Sequence, residues 1–197
     1  GDTKLFSYSG DYSYTSISAD GTKVLTGGTV LNMSGHVLAS NPDIVQGDWS
    51  PDGTKVVYVN ETDLELKVWT VGTSETLHTG FYGIRPSWKY SDKFIYEDGE
   101  EGSTKILVSD GIVTADTTIR GFAPQYLLGG VEVIIETIPG YERWNLNNVE
   151  KISSTPNSSL GKMNPVKVSP QGNFIVWSDN DSVFIENIDG TGRKKLR

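Results

Sequence analysis

The chain has no cysteine, only two histidines and two methionines, and no long apolar run. Without cysteine there is no disulfide framework, no thiolate nucleophile and no cysteine-ligated zinc. His36 in "NMSGHV" and His78 in "ETLHTG" sit in turn or outer-strand settings. Neither is near a Gly-x-Ser-x-Gly elbow, so a serine-type hydrolase has no support. A transmembrane helix needs about 20 consecutive apolar residues, and no segment supplies them. Positive charge is also short. Seventeen Lys and Arg against 25 Asp and Glu leave a net charge of −8, which argues against general nucleic-acid binding. The one basic run, Arg193-Lys194-Lys195 with Arg197, reads as a charged strand edge that deters edge-to-edge aggregation. Amphipathic 3.6-residue periodicity is almost missing, so helices are not expected.

What the chain does have is a repeated phrase. "SADG" (18–21), "SPDG" (50–53), "KYSD" (89–92), "LLGG" (127–130) and "SPQG" (169–172) are turns. Pro presets φ in such a turn and Gly accepts positive φ. Each is followed by a short alternating strand rich in β-branched or aromatic residues: "TKVLTGG", "TKVVYVN", "KFIYED", "VEVIIETI" and "NFIVWSD". A third element recurs as "TVLNMSG", "LKVWTVG", "KILVSDG", "ERWNLNN" and "SVFIENIDG". Taking Lys23, Lys55, Lys93, Glu132 and Phe174 as equivalent, the steps are 32, 38, 39 and 42 residues. Four short antiparallel strands per repeat of about 40 residues is the pattern of a propeller blade, whose faces are buried only by its neighbours.

"DWSPDGTKVVYVN…LKVWTVGTSETL" resembles the TolB-type, WD-like β-propeller repeat, best over residues 47–79 and 165–196. The resemblance extends through five imperfect copies. The expected fold is therefore all-β: a β-propeller of five four-stranded antiparallel blades closed by the N-terminal strand. It forms a single domain over 1–197, with repeats at about 10–43, 44–82, 83–120, 121–161 and 162–197, and with 1–9 as the closing strand. A fragment of a larger ring is the alternative. The resemblance implies a protein-binding rather than catalytic role and favours a periplasmic or extracellular setting. Neither a cofactor nor a metal is expected.

Carboxylate catalysis of glycoside hydrolysis would need paired acids on the inner strands. Of "YTSIS", "QGDWS", "IRPSW", "APQYL" and "PVKVS", only "QGDWS" contains one, Asp48. The acidic stretches "EDGEEGS" (97–103) and "SDNDS" (178–182) read as solvated hairpins, because neither has the spacing of a calcium loop. The five tryptophans recur at blade-equivalent positions and suit interblade packing. Four side chains from four repeats, Asp48, Arg85, Gln125 and Lys167, are expected at the channel mouth, where they could meet a partner's loop or a small polar ligand. Tyr141 and Trp144 in "GYERWNLNN" form a candidate stacking platform for a glycan, the centre of an alternative carbohydrate-binding or carbohydrate-active reading.

Overall fold

The computed structural model describes residues 14–88, 93–98, 105–112, 114–127, 129–137, 140–156, 167–169, 172–179 and 182–196. They form five antiparallel four-stranded sheets, each a meander, arranged as a five-bladed β-propeller. The first blade comprises β1 (Thr15–Ile17), β2 (Lys23–Thr26), β3 (Thr29–Asn32) and β4 (Val37–Ser40). The second has β5 (Ile44–Trp49), β6 (Lys55–Asn60), β7 (Glu65–Thr70) and β8 (Thr76–Tyr82). The third has β9 (Ile84–Ser87), β10 (Phe94–Glu97), β11 (Lys105–Ser109) and β12 (Thr114–Arg120). The fourth has β13 (Phe122–Tyr126), β14 (Glu132–Thr137), β15 (Gly140–Asn145) and β16 (Glu150–Pro156). The fifth has β17 (Lys167–Val168), β18 (Phe174–Asp179), β19 (Ser182–Asn187) and β20 (Lys194–Lys195). The closing strand expected at 1–9 lies outside the described residues. Among the described residues there is no helix long and apolar enough to cross a membrane.

The repeated phrase folds the same way in the first two blades. Ser18 Oγ donates to Asp20 Oδ1 (2.6 Å), while Asp20 accepts from the Thr22 amide (3.0 Å) and hydroxyl (2.8 Å). Ser50, Asp52 and Thr54 repeat that set at 2.6, 3.0 and 2.9 Å. The serine hydroxyl also accepts from the amide of the first strand residue, Lys23 or Lys55. Gly21 and Gly53 take φ of 70° and 65°, which their lack of a Cβ permits. In the fourth blade the backbone bonds of the turn persist, Leu127 N to Glu132 O and Gly130 N to Leu127 O, without the Ser–Asp pair.

The second strands of the second, third and fourth blades alternate between their two neighbours. On β6, Val56 and Tyr58 pack with Leu25 and Val30 of the first blade, while Val57 and Val59 pack with Phe94 and Tyr96 of the third. On β10, Ile95 faces the other way, into Tyr126, Val133 and Ile135 of the fourth blade. The same alternation puts Ile134 against Ile175 and Trp177 of the fifth. A strand buried on both faces needs a continuous apolar run, which explains "VVYV", "FIY" and "VII". All five tryptophans belong to these interblade clusters or pack against them.

The meander gives the propeller two unlike ends. The turns after each inner strand and the turns between third and fourth strands share one end, here called the turn face. The blade-to-blade connections lie at the other.

Candidate functional site

Asp48, Gln125 and Lys167 occupy one register position: each lies two residues before the first residue of its turn, at the turn-face end of an inner strand. Ser16 and Ser87 are their equivalents in the first and third blades. This position joins blades. Ser16 Oγ donates to Asp48 Oδ1 at 2.6 Å, and Asp48 Oδ2 accepts from the Trp88 amide at 3.0 Å. Ser87 Oγ accepts from the Tyr126 amide (3.2 Å), and Gln125 Oε1 from the Val168 amide (3.3 Å). Trp49 Nε1 adds a bond back to the Ser16 carbonyl at 3.3 Å. Lys167, a donor with no acceptor atom, instead places Nζ 4.8 Å from the centroid of the Tyr14 ring.

Arg85 lies two residues earlier in register, level with Gln46 and Ala123, and it serves a second set of joints. The inner strands of the second, third and fourth blades each carry a register shift near this point. Arg85 and Ala123 both adopt left-handed backbone, with φ of 51° and 44°. That conformation is uncommon for a residue with a Cβ and persists where surrounding structure enforces it. Here it turns each amide toward the preceding blade. The Arg85 amide donates to Gln46 Oε1 (3.0 Å), and the Ala123 amide donates to Glu97 Oε1. The Arg85 guanidinium in turn grips Glu97 at 3.1 and 3.2 Å. Three consecutive blades are thus tied through one arginine and one glutamate.

Glu97 corrects the sequence reading. Its carboxylate, placed by sequence in a solvated hairpin, is fully buried at the end of β10. Burial pushes its carboxyl above the ordinary range, opposed by the Ala123 amide and by Arg85. Residues 99–104 of the same acidic stretch lie outside the described residues. Arg193 also differs from a plain solvated edge: Nε donates to buried Glu186 at 2.7 Å, and the guanidinium covers Trp177 at 5.2 Å.

The four expected mouth residues share one neighbourhood, and half-buried Tyr14 is at its centre. Burial among the inner strands raises the Tyr14 hydroxyl well above its ordinary pKa; the charge of Asp48 adds to the effect, and Arg85 opposes it. Lys167 covers the Tyr14 ring, and Gln125 holds the amide next to Lys167. Sequence reasoning missed Tyr14, Gln46, Ser87 and Glu97. Extending the register of Asp48 to every repeat finds Ser16 and Ser87, each two residues before the first residue of its turn.

Tyr141 and Trp144 do not share an open surface. Tyr141 is 1% exposed, and its hydroxyl donates to Glu186 Oε1 in the fifth blade at 3.1 Å. Trp144 packs against the cluster between third and fourth blades, donates from Nε1 to Glu142 at 2.9 Å, and is covered by Lys151 Nζ at 5.7 Å. His78 Nδ1 lies 2.9 Å from Glu65 Oε2, and the His36 amide caps Asn32 Oδ1 in its turn. Among the described residues no group of three or more His, Cys, Asp or Glu side chains is arranged to hold a metal ion.

No family model matches the chain, and no curated protein matches it. Solved structures do. A candidate TolB from Agrobacterium tumefaciens superposes with a TM-score of 0.74 over 98% of this chain and 83% of its own, at 16% identity. TolB from Acinetobacter baumannii superposes with a TM-score of 0.71 over 92% of this chain, at 17% identity. This chain spans about half, 53%, of that protein's length. The fold is therefore that of TolB-like propellers.

Proposed function

We propose that the protein is a non-catalytic binding module whose turn face and channel mouth receive a protein partner. The observation that carries this reading is a set of exposed apolar side chains gathered on one end. Ile17, Val131 and Phe174 flank the turns after inner strands, and Met33, Ile112 and Val149 lie at turns between third and fourth strands. All six are on the turn face. Exposed apolar side chains brought to one end of the fold offer surface that a partner can cover. The mouth behind it is stiffened by the bonds of Asp48, Ser87, Gln125 and Arg85, so these polar groups serve the scaffold. A rigid rim lowers the ordering cost of association. The likeness to TolB propellers is compatible with this class of role and supplies no partner.

The test is site-specific photo-crosslinking in extract of the source organism. A benzophenone side chain at position 112 or 131 is expected to capture a discrete protein, and one at position 64, on the opposite end, is expected not to. Equal capture from all three positions, or none from the turn face, overturns the reading.

A further inference from the structure

A second concave site lies away from the channel, on the flank between the first and second blades. The end of β4 and residues 41–43 form one wall, and one face of β6, β7 and β8 forms the other. Its volume is about 390 Å³, at the small-molecule end of the range for binding pockets. Strand register explains the lining: Tyr58 pairs with Lys67 and Lys67 with His78, which sets three polar tips in a row across the blade.

Two buried residues bring polar atoms here that the protein leaves unused. Asn60 Oδ1 caps the amides of Thr62 and Asp63 at 2.9 and 3.2 Å, while its Nδ2 has no hydrogen-bond partner among the described residues. The Tyr58 hydroxyl likewise has none there. Neither atom is sealed from the cleft, since the one buried side-chain nitrogen or oxygen lacking a partner among the described residues is Trp88 Nε1. Carboxylates outnumber the one ammonium here. Lys67 Nζ lies 2.7 Å from Asp63 and 3.6 Å from Glu65, and Glu65 is also held by His78 and the Gly80 amide. Asp43 adds a further carboxylate to the lining. An anion entering would meet those carboxylates, and the ammonium that could offset them is already paired. The remaining lining is Pro42, hydroxyl and amide groups, and aromatic surface from Trp69 and Tyr58.

From this arrangement we infer that the cleft between the first and second blades binds a small polyhydroxylated ligand without an acid group, such as one sugar unit. Hydroxyls that both donate and accept match the alternating groups of a polyol, and Asn60 Nδ2 and the Tyr58 hydroxyl are the orienting contacts. The site borders the turn face at Thr73 and Ser74 but uses none of the six apolar side chains named there, nor Trp144.

Saturation-transfer NMR and calorimetry with glucose, galactose, mannose and N-acetylglucosamine test it, with glucuronate as the acidic comparator. At least one neutral sugar is expected to bind saturably, and more tightly than glucuronate. Asn60→Asp keeps the turn-capping oxygen and removes the donor; Tyr58→Phe removes only the hydroxyl. Each is expected to weaken binding about five- to tenfold at unchanged melting temperature. Should one variant lower the melting temperature, the other decides. No saturable binding of any neutral sugar, tighter binding of glucuronate, or unchanged affinity in the stable variants overturns the inference. Crosslinking from the turn face is unaffected by either variant, so the two proposals fail separately.

Discussion

The Ser16 hydroxyl donates to Asp48 Oδ1 across the joint between the first and second blades, and the other oxygen of the same carboxylate accepts from the backbone of the third. One side chain therefore fixes three blades at the channel rim. Asp48→Ala removes both acceptors and leaves the Ser16 hydroxyl and the Trp88 amide without this partner. The expected loss is about 1–3 kcal/mol in urea denaturation, the cost of a buried donor left unsatisfied. Asp48→Ala with wild-type stability would show that the carboxylate is not a joint.

Arg85 and Glu97 make an asymmetric pair, because the carboxylate is fully buried and the guanidinium reaches solvent. Arg85→Ala leaves that carboxylate uncompensated and is expected to destabilise by about 2–3 kcal/mol. Glu97→Gln keeps an acceptor for the Ala123 amide and is expected to cost less. A double-mutant cycle by thermal and urea unfolding measures the coupling, and values near zero would refute it.

Acid should loosen the turns. Hydrogen bonds from Ser18 and Thr22 lower Asp20 from its usual 3.8 to about 2, and Ser50 and Thr54 lower Asp52 in the same direction. A carboxyl whose folded pKa lies below its unfolded value favours folding when ionised. That contribution is present in full above about pH 4 and is lost as pH falls toward 2. Asp20→Asn combined with Asp52→Asn is expected to flatten the fall in melting temperature between pH 4 and 2.

Gly83 approaches its neighbour strand too closely for a side chain. A Cβ there would lie 2.3 Å from the Glu97 carbonyl oxygen and 2.5 Å from the Tyr96 ring. Gly83→Ala is expected to cost about 1–3 kcal/mol as overpacking. Circular dichroism melts measure it, and a melting temperature equal to the wild type would refute the close approach.

The blades were legible in the sequence because the Ser-x-Asp-Gly turn and the doubly buried strands are local patterns. Lys23, Lys55, Glu132 and Phe174, taken as equivalent, each begin the second strand of a blade, and β10 begins one residue after Lys93. The joints were less legible. Asp48, Arg85, Gln125 and Lys167 were visible as polar residues at the rim, but the interblade bonds that involve a backbone amide run 39 to 43 positions along the chain in three of the four cases. Glu97 was misread because acid-rich sequence normally marks solvent, and only its distant partners Arg85 and Ala123 reveal the burial. Tyr141 was misread for a related reason: its register partner across the blade gap, Glu186, is 45 residues away.

The rim joints have one further property. At Trp88, Tyr126 and Val168 the group gripped is a backbone amide, which every residue except proline carries. Such a grip does not read the identity of the residue it holds. A repeat can therefore diverge freely at the gripped position while its predecessor still sets it in place. This accounts for copies so unlike in sequence keeping one geometry, with the fourth, lacking its Asp-Gly turn, held at its amide like the third and the fifth.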